Sequence, residues 1–340
     1  MIRIAVVGVG HWGPHLLRNF HNHEDSIVTW LSDKDPVRLH ELSARYPDVK
    51  MTESSDVVIQ APDVDAVVVA TPTTTHFPLA KVALESGKHV LVEKPLAASA
   101  EHGAILCDLA KEKQRILMVG HVFVYNAGVR YVREYLQSGA LGRVYYISMV
   151  RTNLGPVRLD VNAAWDLAAH DISIANYWLD AGPQSASALG GSWINEGLED
   201  AVFATLRYPG DTLVNLQVSW LNPRKVRDIT VVGESQMLVL DDMDLQEPLR
   251  IYDKGIAGDR TVSSYTDTFA SFRASIREGE IRIPRVSIGE PLRAECHHFL
   301  ECITYGKEPL TGGREGLQVV RALEALERSI RNGGTAEPLR

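Results

Sequence analysis

One glycine triplet limits the fold of this chain more than any other feature. Gly8-Val9-Gly10-His11-Trp12-Gly13 follows the apolar run Ile2 to Val7 and precedes a stretch of helical period, and Asp33 ends the next apolar run. A strand that turns through such a triplet into a helix aims the helix's unpaired N–H groups and positive end at the turn, which suits a pyrophosphate. Gly8 permits the tight turn, Gly10 lets the backbone approach the phosphates, and Gly13 allows the helix to pack closely on the strand. His11 and Trp12, inside the turn, count with the glycines as cofactor-contacting positions. Asp33 is placed to bind the adenosine ribose hydroxyls and to repel a 2′-phosphate, which favours NAD over NADP. Lys34 acts the other way, but as a point charge without the planar fork of an arginine.

The rest of the N-terminal part agrees with that motif. Residues 2–8, 27–32, 66–70, 89–93 and 116–119 are short β-branched runs, continuous in hydrophobicity as strands buried on both faces are. Segments of helical period at Leu39 to Arg45, Leu79 to Glu85 and Ala104 to Lys113 fit between them. The alternation predicts an α/β fold, with a doubly wound parallel sheet over residues 1–122. Beyond residue 123 the rhythm stops: helices are expected around 128–138 and 166–179, and strands at 143–150, Ala201–Arg207, Leu213–Trp220, Ile229–Val232 and Met237–Leu240. Residues 123–340 therefore read as a second α/β domain with an open, largely antiparallel sheet. Within it, 253–288 reads as polar and irregular, and 290–306 and 315–331 as helices that return to pack on either domain. A sheet covered on one face only leaves the other for a second copy, so a homo-oligomer, dimer or tetramer, is expected.

Charge and cysteine content narrow the partners. A formal net charge of −8 argues against nucleic acid or an anionic membrane as a broad binding surface. No apolar stretch approaches a membrane span, and the apolar N-terminus runs into the glycine motif instead of a cleavage site, which places the chain in the cytoplasm. Cys107, Cys296 and Cys302 are an odd set without framework spacing, as expected of a reduced compartment. Cys296-His297-His298 with Cys302 resembles a metal cluster on paper, but helical residues six apart point about 120° away from each other, so no metal is expected.

Two further motifs stand at the carboxyl ends of expected strands. Thr71-Pro72-Thr73-Thr74-Thr75-His76 follows the run ending at Ala70; Thr71, Thr73 and His76 can contact the cofactor or cap the next helix, and both can hold. Val90-Leu91-Val92 delivers Glu93-Lys94-Pro95 to the same end of the sheet, presenting a cation where the nicotinamide is expected.

These motifs together resemble the Gfo/Idh/MocA oxidoreductase family, and the resemblance covers essentially the whole chain. It implies a Rossmann domain paired with an α/β substrate domain, a lysine of the Glu-Lys-Pro motif that contacts substrate and cofactor, and a proline preceded by a cis bond. It also implies an Asp-x-x-x-His pair, matched by Asp166-Leu167-Ala168-Ala169-His170. Four-residue spacing puts Asp166 and His170 on one helical face. A histidine, with an ordinary pKa near ~6.5, can take the hydroxyl proton as hydride leaves the carbinol carbon, so His170 is the expected general base. Lys94 is expected to stabilise the developing alkoxide, and Asp166 to bind a substrate hydroxyl or assist proton movement. The chain departs from the family at Ala168, where glycine is common, and at Ser173, where a further aspartate is common.

The stretches Val161–Ser173, Gly120–Asn126 and Trp220–Arg227 are similar to members from nucleotide-sugar and surface-polysaccharide pathways. That similarity implies a nucleotide-linked sugar oxidised at its C3 hydroxyl, as in dehydrogenases acting on UDP-N-acetylglucosaminuronate. Arg151, with Arg158, Arg224 and Lys225, either meets a diphosphate or uronate or is a surface charge. Trp165 is grouped with the substrate residues, and Tyr125 and Asn126 contact the sugar or the nicotinamide carboxamide, or merely shape the hinge. The same residues also serve a keto-sugar reductase or a polyol or inositol-type dehydrogenase. An NAD-dependent glycosidase with internal hydride recycling and a non-enzymatic nucleotide-binding regulator are further readings; the intact Lys94, Asp166 and His170 count against the last.

Overall fold

Six parallel strands form the first sheet of the structure, a computed structural model that describes residues 1–256, 276–277, 279–287 and 289–339. In chain order they are β1 (Ile2–Val7), β2 (Ser26–Ser32), β3 (Lys50–Thr52), β4 (Ala66–Val69), β5 (His89–Glu93) and β6 (Leu117–Gly120). Between them lie α1 (Gly13–His21), α2 (Pro36–Ser43), α3 (Ser55–Gln60), α4 (His76–Glu85) and α5 (Ala100–Lys113). The spatial order β3-β2-β1-β4-β5-β6 reverses direction between β1 and β4, which opens a ligand crevice outside their carboxyl ends. β4 is buried along its whole length, as expected of a strand covered on both faces. Sequence patterning misses β3, because three residues, none buried, carry no hydrophobic run.

α1 forms on Pro14 in its first turn and lays Leu16, Leu17 and Phe20 on the sheet. Phe20 meets Phe299 edge to face, with ring centroids 6.2 Å apart. Phe299 belongs to α8 (Pro291–Tyr305), so the first compact unit comprises Met1–Asn126 together with Gly289–Glu324.

The second unit comprises Ala127–Ile288 and Ala325–Arg340. It begins with α6 (Ala127–Gln137) and β7 (Val144–Leu154), and continues through α7 (Ala169–Leu179), β8 (Ser185–Gly191), β9 (Ala201–Arg207), β10 (Leu213–Ser219), β11 (Leu221–Gly233), β12 (Met237–Asp241) and β13 (Leu249–Tyr252). These strands make the body of a nine-stranded mixed sheet in which β7 and β10 run parallel and the other pairs antiparallel. Its inner face is apolar: Ile147, Met149, Val202, Ala204, Leu206, Val214, Leu216 and Val231 are buried. α7 covers that face through side chains such as Trp178, whose indole donates to the Val129 carbonyl at 2.8 Å. On the outer face Tyr146, Leu189, Phe203 and Leu213 stay exposed. The helix expected at 166–179 starts as a π-helical turn over Ala164–Ala168 before α7 begins. Most of the stretch read as irregular, 253–288, lies outside the described residues.

His89 opens β5, and its Nδ1 accepts the Ile116 N–H at 3.0 Å. Burial, and secondarily the Arg115 charge, push its pKa down to about 4. The folded ring binds its proton less tightly than an unfolded one of pKa about 6.5, so its contribution to stability is complete above that pH and is lost as pH falls toward 4. Urea unfolding should therefore show falling stability between pH 6.5 and pH 4, with a shallower fall in His89→Asn; an identical slope in the variant would refute the assignment.

Candidate active site

The turn after β1 is built around two glycines that touch. A Cβ on Gly13 would stand 2.0 Å from the Gly8 carbonyl oxygen, so only glycine lets α1 start this close to the strand. Gly8 itself sits at φ 91°, and a Cβ there would meet the Ala70 carbonyl oxygen at 2.6 Å. Its N–H donates to the Ser32 carbonyl at 2.7 Å, which ties the turn to the end of β2. Asp33 continues that tie: Oδ2 accepts the Val9 N–H at 2.8 Å, and Oδ1 the Asp35 N–H at 2.9 Å. Around Gly10 there is room, since the nearest atom a Cβ would meet is Arg38 Nη1 at 3.4 Å. This open backbone at a helix N-terminus, with a fixed acid beside it, fits a dinucleotide. Gly8, Gly10 and Gly13 would hold the pyrophosphate and Asp33 the adenosine ribose.

Arg38 escaped the sequence reading. Its Nη1 lies 3.9 Å from Asp33 Oδ2 and its Nε 3.4 Å from Asp35 Oδ2, so a guanidinium stands beside the acid expected to meet the ribose. Lys34, the cation singled out from sequence, is exposed.

At the ends of β4 and β5 the two remaining motifs are joined by His76. Its Nδ1 faces the Pro95 carbonyl at 2.8 Å and its Nε2 the Thr71 carbonyl at 2.9 Å. Both nitrogens are occupied by backbone and the ring is 1% exposed, so His76 braces the Lys94-Pro95 turn, contrary to the cofactor contact expected of it. Thr73 is buried, and Thr75 Oγ1 donates to Thr71 Oγ1 at 2.7 Å. The Lys94-Pro95 bond is cis. Glu93 lies against Gly120, where a Cβ would come within 3.0 Å of Oε1, and its Oε2 accepts the Lys94 N–H at 3.3 Å. Burial pushes the Glu93 carboxyl up to about 7 against the pull of Lys94. Tyr125 differs from expectation: it is 3% exposed, and its hydroxyl is engaged with Thr311 Oγ1 at 2.9 Å, so it packs inside the first unit.

In the second unit Asp166 sits in the π-helical turn and His170 in the first turn of α7. Asp166 Oδ1 accepts from Arg158 Nη1 at 3.1 Å and Oδ2 from Trp220 Nε1 at 3.2 Å. Arg158 also pairs with Asp160, which raises its pKa further, so its charge is fixed. Trp165 is buried, and its N–H is capped by Asn162 Oδ1 at 3.1 Å. Arg151 corrects the expectation of a substrate cation. It is buried, and its Nε and Nη2 bind Asp171 Oδ1 at 2.8 and 2.7 Å, beneath the start of α7. Burial pushes the Asp171 carboxyl up and Arg151 pulls it back.

Comparison with known proteins identifies the two parts. Residues 2–121 match the description "Oxidoreductase family, NAD-binding Rossmann fold" and residues 129–239 the "GFO/IDH/MocA C-terminal domain". The chain belongs to the Gfo/Idh/MocA oxidoreductase family. It is 27% identical over 325 residues to UDP-N-acetylglucosamine 3-dehydrogenase of Acidithiobacillus ferrooxidans, covering 94% of this chain and 95% of the relative. It is 24% identical over 345 residues to scyllo-inositol 2-dehydrogenase (NAD(+)) of Bacillus subtilis, covering 98% and 95%. In fold it resembles the WlbA dehydrogenase of Bordetella pertussis, solved with NADH and UDP-GlcNAcA, with a TM-score of 0.80 at 23% identity over 100% and 99% of the chains. As a member of this family the protein is an oxidoreductase, and its first domain binds NAD.

Asp33 and Arg38 pull in opposite directions on a 2′-phosphate, so NAD should bind more tightly than NADP, with Arg38 narrowing the gap. Arg38→Ala should weaken NADP by about tenfold or more while leaving NAD within a few-fold, as read by quenching of the protein's tryptophan fluorescence; equal losses would show that Arg38 does not face the ribose.

Proposed function

We propose that the protein oxidises a secondary hydroxyl, at C3, of a nucleotide-linked sugar with NAD, as a step in making surface-polysaccharide precursors. End-to-end similarity to a UDP-N-acetylglucosamine 3-dehydrogenase, covering 94% of this chain, carries the reading. The Asp166–His170 segment supports it chemically. The bound nicotinamide supplies the hydride acceptor. Oxidation also requires the hydroxyl proton to leave, and His170 is the group assigned to receive it. Asp166, already held by Arg158 and Trp220, has a fixed orientation from which to accept a hydrogen bond from a sugar hydroxyl. Lys94, on the turn braced by His76, stabilises the alkoxide that forms as the proton departs.

A polyol or inositol-type dehydrogenase is the second reading, favoured by the scyllo-inositol 2-dehydrogenase relative. The same residues serve it, since both substrates present a secondary alcohol. A reduced cytoplasmic setting suits the three free cysteines. No helix among the described residues is long and apolar enough to cross a membrane.

The outer face of the second sheet supports self-association. Leu189 pairs with Phe203 across β8 and β9, Phe203 with Gln217 across β9 and β10, and Gln217 with Val150 across β10 and β7. Exposed Tyr146, Leu189 and Phe203 on that face match what a second copy would cover.

With NAD, reduced-nicotinamide absorbance should rise on adding a UDP-linked N-acetylhexosamine or its uronate, and more slowly with inositols; the reverse ranking would move the assignment to the second reading. Lys94→Ala and His170→Ala should each lower kcat by about 10²-fold or more with NAD affinity within a few-fold of normal, and unchanged turnover would remove these roles. Sedimentation at micromolar concentration should give a dimer or tetramer, and Phe203→Glu should shift it toward monomer; a wild-type monomer would refute association through this sheet.

A further inference from the structure

Exposed apolar side chains are ordinary on a protein surface when they are scattered singly. Trp193 differs from them in how it is held. It stands in the loop between β8 and β9, 67% exposed, whereas the other tryptophans are buried or half-buried. Gly191 lies directly beneath the ring: a Cβ there would come within 2.2, 2.5 and 2.7 Å of Cη2, Cζ2 and Cζ3. Three adjoining ring carbons at similar distances mean that the glycine meets the face of the indole and not its edge, and any side chain at 191 would push the ring away. The backbone is fixed as firmly. Asp200 is fully buried, and its Oδ2 accepts the Trp193 N–H at 2.6 Å and the Ile194 N–H at 2.8 Å. Its own N–H donates to the Gly191 carbonyl at 2.8 Å, which closes the loop. Burying a carboxyl group is costly and is offset by such bonds, so the loop is built to keep one conformation. One face of the indole is covered by backbone, and no aromatic ring among the described residues packs on the other.

The same loop is tied to the segment that carries Asp166. Asn195 Nδ2 donates to the Arg158 carbonyl at 3.3 Å, and the Arg158 guanidinium reaches Asp166 Oδ1. The Asp200 carbonyl accepts the Trp220 N–H at 3.0 Å, and the Trp220 indole holds Asp166 Oδ2. The Ala163 N–H donates to the Glu199 carbonyl at 2.9 Å, just ahead of the π-helical turn. Two of these ties run from the loop to Asp166 through a single further residue, so the indole stands within the length of a nucleotide-linked sugar from that aspartate. One rigid frame inside the second unit thus presents both the hydroxyl-binding carboxylate and an open aromatic face.

We propose that Trp193 determines substrate specificity: its open face stacks on the nucleobase of a nucleotide-linked sugar whose hexose lies at Asp166. The kind of ligand rests on the nucleotide-sugar reading above, and the place of the base on the loop alone. A nucleobase is planar and covers an indole with its whole face, whereas a hexose brings hydroxyls that must find partners. Every base has such a face, so the stack selects a nucleotide-linked sugar over a free one without choosing the base. A contact this far from the reacting carbon is the same in ground and transition states, so it lowers KM and leaves kcat alone.

Isothermal titration of UDP into the full chain saturated with NADH, so that the dinucleotide site is already filled, reads the stack directly. Wild type should bind UDP, Trp193→Ala should weaken it by about tenfold or more, and Trp193→Phe, which keeps a ring, should stay within a few-fold of wild type. In turnover with NAD, Trp193→Ala should raise KM for a UDP-linked N-acetylhexosamine by a similar factor with kcat within a few-fold, and its preference for that substrate over an inositol should fall. UDP bound by wild type and lost in Trp193→Ala, without turnover of any nucleotide-linked sugar, would keep the base site and remove only the assignment of C3 oxidation. No UDP binding in wild type would overturn the proposal. So would an equal rise in KM for the inositol, which would place the indole against the sugar ring. Unchanged UDP affinity in Trp193→Ala, with sedimentation shifted toward monomer, would also overturn it by making Trp193 a contact between copies.

Discussion

The contact between Gly8 and Gly13 is the constraint on which the cofactor domain turns. A Cβ on Gly13 would stand 2.0 Å from the Gly8 carbonyl oxygen and one on Gly8 2.6 Å from that of Ala70, so α1 can start this close to β1 only with hydrogen at both positions, and a helix N-terminus is thereby set at the end of the strand. The Gly8 N–H on Ser32 and the Val9 N–H on Asp33 then lock the turn to β2. Asp33 thereby does two jobs: it braces the turn and presents a carboxylate at a fixed place. Glycine here costs conformational entropy, and the recovered hydrogen bonds with close packing offset it.

The second recurring feature is polar groups spent on holding the machinery. His76 links two loops through carbonyls, Tyr125 fastens to Thr311, and Arg151 is consumed by Asp171. A buried ion pair of this kind contributes little net stability compared with an apolar pair, but it admits only one arrangement. Arg151 and Asp171 sit under the first turn of α7, which carries His170. Asp171 is therefore a means of fixing the helix start, and Ser173, whose hydroxyl donates to the His170 carbonyl at 2.7 Å, holds the same turn.

Much of the parallel half was legible because buried strands and their turns are local signals. Ala201–Arg207 is likewise legible, because a strand-like run ahead of the Pro209-Gly210-Asp211 turn is a local signal. β3 was not, because its three residues add a strand by pairing with β2 and not by hydrophobicity. The π-helical turn at Ala164–Ala168 has no residue signature to distinguish it from α-helix. Arg38 was visible as a charge in a helical stretch, but its approach to Asp33 depends on how α2 leaves β2.

By itself the sequence determined the strand–glycine–helix turn, the acid after β2, the placement of Glu93-Lys94-Pro95 at a strand's carboxyl end and the four-residue spacing of Asp166 and His170. Each is set by backbone sterics or periodicity within a few residues, where neighbours in sequence are neighbours in space. Tertiary structure decided which charges remain available for chemistry. Arg151 lost its availability to Asp171, twenty residues away, and His76 to Pro95, nineteen away. Pairing, burial and the protonation that follows from them are properties of packing, because the energy of a charge depends on the low-dielectric surroundings assembled around it from distant parts of the chain.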